Sequence, residues 1–152
     1  MDIHLTVNGK ATVWQAAPGE TALELIRRQG LTSVKRGCSQ GDCGACTVLL
    51  DGQALRACLL VAAQLEGRAL VTAEGLGDQD APHPLQQAFV AAGAVQCGFC
   101  TPGMLLASKA LLDVTPRPDE AQVREALDGN LCRCTGYKKI VEAVLAAAEK
   151  VG

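Results

Sequence analysis

The chain has 152 residues, 49% of them hydrophobic, and a formal net charge of −2. That length buries a core in one domain or in two small ones. The near-neutral charge with scattered Lys and Arg excludes the clustered basic face of a nucleic-acid binder and a polybasic membrane patch.

The opening stretch, "MDIHLTVNGKATVW", alternates like a strand and lacks the basic and apolar regions of a secretory leader. No apolar run approaches the roughly 18 residues that a transmembrane helix needs. A cytoplasmic protein without membrane insertion is expected.

In chain order, "IHLTV" and "ATVWQ" are β-prone runs joined at Asn8-Gly9, a two-residue hairpin signal. "APGETALELIRRQG" offers a turn at Pro18-Gly19, an N-cap at Thr21, an inward face of Leu23, Leu25 and Ile26, and a stop at Gly30. A second hairpin is expected around Asp51-Gly52 in "CTVLLDGQALRACL", and "RALVTAEGL" reads as a further strand. These elements predict a small mixed sheet with one helix packed on a face.

Turn formers dominate "GLGDQDAPHP", and the domain boundary is placed there, giving domains over 1–76 and 77–152. The second domain reads as helical. Leu85, Ala88, Phe89 and Ala92 share a face, and Thr101 caps a helix that has Pro102 in its first turn. Asp119 and Gln122 form a capping-box pattern closed by Gly129, and Ile140, Val141, Val144, Leu145 and Ala148 recur at helical spacing. Four helices with short connections predict a small bundle.

Eight cysteines are the unusual feature. In an oxidising compartment they would suggest disulfides; as reduced thiols they point to metal binding or redox chemistry. "GCSQGDCGACTVLLDG" carries Cys38, Cys43 and Cys46, and Cys58 follows, which is the spacing of a plant-type [2Fe–2S] site. Such an anionic cluster needs sulfurs from several directions with backbone N–H groups between them. Gly37, Gly41 and Gly44 allow that through positive φ and close approach, and Cys58 is expected on the second strand of the hairpin. A structural zinc site would instead pair two short knuckles.

The helical half holds "QCGFCTPG" and "NLCRCTGY", with Cys97 and Cys100 in one and Cys132 and Cys134 in the other. Each pair precedes an expected helix, so two helix N-termini can face the four thiolates, an arrangement suited to an anionic cluster. A thioredoxin-type role for Cys97 and Cys100 alone is the competing reading.

With these stretches in view, the chain resembles the small iron–sulfur subunit of the molybdenum hydroxylases, the xanthine dehydrogenase, aldehyde oxidoreductase and carbon monoxide dehydrogenase family. The resemblance rests on "GCSQGDCGACTVLLDG", "QCGFCTPGM" and "NLCRCTGY", which lie in the family's order with every cysteine position matched. It implies an α+β architecture: an N-terminal β-grasp, plant-type ferredoxin domain followed by an all-α four-helix-bundle domain, each with one [2Fe–2S] cluster. It implies two partners, a large subunit with a molybdopterin cofactor and a medium subunit with FAD, in a hetero-oligomer for which a dimer of heterotrimers is one arrangement. It also implies that Gln96 and Cys134 approach the pterin, and that electrons pass from molybdenum through the helical-domain cluster and then the ferredoxin-type cluster to FAD. A free-standing two-cluster carrier or redox sensor is the alternative, and a zinc-stabilised interaction module is a third.

The remaining candidates carry less. His4 and His83 form no nucleophile–base pair, and Gly75 and Gly77 lack the rest of a dinucleotide fingerprint. Arg133 sits where it can tune a cluster or bond nearby carbonyls. Lys35 and Arg36 read as a solvated turn, Phe99 chiefly as core, and Tyr137 as a helix-start packing residue.

Overall fold

The computed structural model describes residues 1–151. It has a five-stranded mixed sheet and five α-helices. Strands β1 (Asp2–Val7) and β2 (Lys10–Gln15) pair antiparallel. Asn8 (φ 49°) and Gly9 (φ 81°) take the two left-handed positions of the turn, as an Asn-Gly hairpin requires. β3 (Thr47–Leu50) and β4 (Gln53–Arg56) repeat this at Asp51 and Gly52.

The short β5 (Ala69–Val71) joins the two hairpins, parallel to β1 and antiparallel to β3, so the order is β2-β1-β5-β3-β4. Helix α1 (Ala22–Arg28) begins at the expected Thr21, whose hydroxyl accepts from the Glu24 N–H while the Glu24 carboxylate accepts from the Thr21 N–H. Its Leu23, Leu25 and Ile26 share a core with Ile3, Leu5, Trp14, Val48, Leu50 and Leu70.

Beyond the boundary stretch come α2 (Pro84–Ala91), α3 (Thr101–Val114), α4 (Glu120–Leu127) and α5 (Lys138–Val151). They enclose a second core around Leu85, Phe89, Met104, Val123, Ile140 and Val144. Asp119 and Gln122 cap α4 reciprocally as expected, and His83, unassigned in the sequence, caps α2 by accepting the Leu85 N–H at 3.1 Å.

The expected Thr101 cap is corrected. Thr101 already lies inside α3, and Cys100 is the cap residue. The cause is local: the Thr101 N–H bonds back to the Gly98 carbonyl at 3.3 Å and the Cys100 carbonyl accepts from Met104 at 3.0 Å, so winding starts one residue earlier.

The two halves meet where α3 packs on β3. Every residue of β3 is buried because both of its faces are covered. Val48 and Leu50 face the core beneath α1, and the alternate residues Thr47 and Leu49 face the helical half. No helix among the described residues is long and apolar enough to cross a membrane.

Candidate metal centres

The first set lies in the loop between α1 and β3. Its Cys38 sulfur accepts backbone N–H bonds from Gln40 and Cys43, both at 3.4 Å, and the Cys43 sulfur accepts from Ala45 at 3.5 Å. Those N–H groups, Gln40 first, hold the Cys38 thiol down at about 6 from an ordinary 9.0. Burial does the reverse to Cys46, pushing it up to about 11, with Cys58 and Cys43 beside it.

The loop requires its glycines. A Cβ on Gly37 would sit 2.6 Å from the Cys43 sulfur, and one on Gly41 (φ 92°) would sit 2.7 Å from Leu59 Cδ1. Gly37 therefore serves by close approach, not by the positive φ expected of it.

Cys58 departs from its expected place on the strand. It occupies a 3-10 turn, Ala57–Leu59, just after β4. Pairing of β3 with β4 stops at Thr47 and Arg56, and the Ala57 N–H then bonds the Cys46 carbonyl at 3.1 Å, turning Cys58 back toward Cys46.

The second set joins two loops distant in sequence. Cys97 and Cys100 lie between α2 and α3, and Cys132 and Cys134 lie between α4 and α5. The Cys97 and Cys134 sulfurs are 3.5 Å apart and exposed; Cys100 and Cys132 form a second, less exposed neighbouring pair. Burial pushes the Cys100 thiol up to about 12, and the hydrogen bond with Cys97 raises Cys134. Burial would also raise Cys132, but the Thr135 hydroxyl, donating at 3.1 Å, and the N–H groups of Thr135 and Cys134 together lower it.

These N–H groups belong to the turn ahead of α5, not to the first helical turn, so only α3 begins directly at a cysteine of this set. Tyr137 does more than pack: its hydroxyl accepts the Cys132 N–H at 3.0 Å. Phe99 corrects the expectation of a core residue. It is 48% exposed, because the Cys97–Cys100 turn projects it away from the helical core. Gln96, beside Cys97, and Arg133 are also exposed.

The donor set fits two dinuclear iron–sulfur clusters. All eight cysteines are free thiols, and in each set of four they fall into two neighbouring pairs, as two irons sharing four thiolates require. No group of three or more His, Cys, Asp or Glu side chains converges as a site for a single ion among the described residues. A coordinated metal would also deprotonate the thiols that burial raises.

Sequence reasoning missed Arg56, Asn130 and Gly103, which tie the first loop to the second. The Leu131 N–H donates to the Cys43 carbonyl at 2.9 Å, Arg56 reaches the Gly129 carbonyl at 3.0 Å, and a Cβ on Gly103 would sit 2.6 Å from the Gly44 carbonyl. The adjoining Gly-rich and cysteine motifs were their only signal.

A two-part iron–sulfur protein, one cysteine site against a sheet and one among helices, is the class that this fold and these sites define. A family model described as a 2Fe-2S iron-sulfur cluster binding domain matches residues 5–76, and one described as a [2Fe-2S] binding domain matches residues 72–145. The chain is 49% identical to the nicotinate dehydrogenase small FeS subunit of Eubacterium barkeri, over 97% of this chain and 95% of that protein. It is also 49% identical to the xanthine dehydrogenase iron-sulfur-binding subunit of Escherichia coli O157:H7, over 94% and 91% of the two chains.

A chain in the crystal structure of quinoline 2-oxidoreductase from Pseudomonas putida 86 superposes with a TM-score of 0.95 at 44% identity, covering 99% of this chain and 95% of that one. The chain belongs to the family of small iron–sulfur subunits of the molybdenum hydroxylases.

Proposed function

We propose that the chain relays electrons between the molybdenum centre of a large subunit and the FAD of a medium subunit, through two [2Fe–2S] clusters. Cys38, Cys43, Cys46 and Cys58 hold one cluster in a β-grasp domain, residues 1–76. Cys97, Cys100, Cys132 and Cys134 hold the other in a four-helix bundle, residues 77–152. The observation that carries this reading is the arrangement of eight free thiols as two sets of four, each divided into two pairs. A [2Fe–2S] cluster, when bound, takes up and releases one electron. The chain's own part is to supply thiolates, aim N–H groups and the Thr135 hydroxyl at them, and bury Cys46, Cys58 and Cys100 more deeply than Cys97 and Cys134.

Exposed apolar side chains flank both sets. Leu59 is 62% exposed beside Cys58, Phe99 is 48% exposed between Cys97 and Cys100, and Leu131 is 59% exposed next to Cys132. Apolar surface of this kind suits burial under partner subunits in a hetero-oligomer, here a cytoplasmic assembly of heterotrimers. Gln96 and Cys134 face the pterin in this reading.

The test is the iron, molybdenum and flavin content of the tagged protein drawn gently from its own cells. About two irons per cluster, hence about four per chain, with one molybdenum and one flavin are expected. The same iron with neither partner cofactor would support a free-standing carrier and remove the roles of Gln96 and Cys134 at a pterin.

A further inference from the structure

Between the two thiol sets runs a seam whose polar groups have no part in holding metal. Asn130 is only 4% exposed, and its Nδ2 donates to the Gly44 carbonyl at 3.2 Å and to Thr47 Oγ1 at 3.3 Å. Thr47 Oγ1 gives its own proton to the Gly44 carbonyl at 2.7 Å and accepts from Arg56 Nη1 at 2.8 Å. Arg56 Nη2 donates to the Gly129 carbonyl at 3.0 Å and lies 3.4 Å from Asn130 Oδ1.

The inventory closes. The hydroxyl gives one proton and takes two, and the amide gives two and takes one. No buried side-chain nitrogen or oxygen among the described residues is left without a partner. Neighbouring backbone fixes the fit further, because a Cβ on Gly44 would strike the Gly129 carbonyl, and one on Gly103 would strike the Gly44 carbonyl.

A closed polar network in a buried seam specifies one arrangement more than it adds stability. Sliding the halves would strand several of its members at once. At its edge the Leu131 N–H bonds to the Cys43 carbonyl at 2.9 Å, and Leu131 is joined covalently to Cys132. One hydrogen bond thus connects a cysteine of the first set to the residue adjoining a cysteine of the second.

Resting on the reading that both sets carry [2Fe–2S] clusters, we infer that Asn130 and Arg56 are positioning residues: they fix the spacing and mutual orientation of the two clusters by holding the Leu131–Cys43 contact. Their hydrogen bonds run to Thr47, Gly129, Gly44 and each other, and none goes to a sulfur. Their effect is on the geometry between clusters, on which electron transfer between them depends.

The test uses the full chain loaded with iron and sulfide, fully reduced, as Asn130→Ala, Arg56→Lys and the unaltered protein. Each reduced cluster carries one unpaired spin, and neighbouring spins split each other's resonances with the inverse cube of their separation. The unaltered chain is expected to show two split signals and a Leu131 amide protected from hydrogen exchange. Asn130→Ala is expected to keep its iron and both signals but to lose or smear the splitting, with faster exchange at Leu131.

Arg56→Lys keeps the charge but not the fork that serves Thr47 and Gly129 together, so the same change is expected there. It carries the test if Asn130→Ala fails to fold. Unchanged splitting with a still-protected Leu131 amide in the variants overturns the inference while leaving the ligand assignment intact. An unaltered chain with one cluster signal instead of two overturns the ligand assignment itself.

Discussion

Gly44→Ala separates two reasons for a glycine, and Gly52→Ala is its control. Both residues have positive φ, 72° and 83°, and a Cβ costs either about 1–2 kcal/mol on that ground alone. At Gly52 the added atom meets nothing within 4 Å. At Gly44 it strikes the Gly129 carbonyl and comes to 2.8 Å from Asn130 Cα, and backbone of the opposite half cannot swing away as a side-chain tip can. Overpacking of this kind adds about 1–3 kcal/mol, for a total of about 2–5 kcal/mol at Gly44.

For a chain of this size the expected fall in apparent melting midpoint is about 5 °C for Gly52→Ala and about 10 °C for Gly44→Ala. The assay follows visible absorption of the iron-loaded chain on heating, alongside far-ultraviolet circular dichroism. Equal shifts for the two variants would refute the reasoning, since they would mean that the seam yields and only backbone conformation matters.

Cys38→Ser and Cys134→Ser are each expected to remove one of two distinct cluster resonances and roughly half the iron, while the other resonance persists; loss of both from either variant would contradict independent sites. Gln96→Ala should leave both clusters in place and slow their reduction by substrate in the assembled enzyme, so an unchanged stopped-flow rate would sink its role at the pterin. Glu20 accepts from Arg28 Nη2 at 2.8 Å and from the Ala17 N–H at 2.9 Å, and the Arg28 bond in particular holds its carboxyl below the ordinary 4.5. A carboxyl lowered in the folded state adds stability above its unfolded pKa and loses it as pH falls through the folded one. Melting midpoints should therefore decline as pH falls from the ordinary 4.5 toward the lower value of the folded chain, less steeply in Glu20→Gln; parallel curves would refute this.

Local chemistry made much of the fold legible. Asn8-Gly9 and Asp51-Gly52 announced their hairpins because few other pairs accept two successive left-handed residues, Thr21 announced a helix start as a capping residue type, and Asp119 announced one through Gln122 three residues on. The cysteine spacings announced two [2Fe–2S]-binding halves, in keeping with the two family models that match. What stayed hidden depends on contacts between distant segments. Arg56 meets Gly129 across 73 residues and Asn130 meets Gly44 across 86, and no periodicity records such pairs. Phe99 was misplaced because apolar character normally marks a core, whereas its turn directs it outward. Cys58 was misplaced by two residues' worth of strand, because pairing ends where the cysteine loop begins.

The strand order has a consequence for biosynthesis. β5 occupies the centre of the sheet yet is the last strand to leave the ribosome, at Ala69–Val71. All four cysteines of the first set precede β5 in the chain, and without β5 nothing in the sheet sets the register of one hairpin against the other. The folded surroundings of the first cysteine loop thus draw on residue 71, which joins the two hairpins, and on the 129–131 segment, which closes over Gly44 about 60 residues later in the chain.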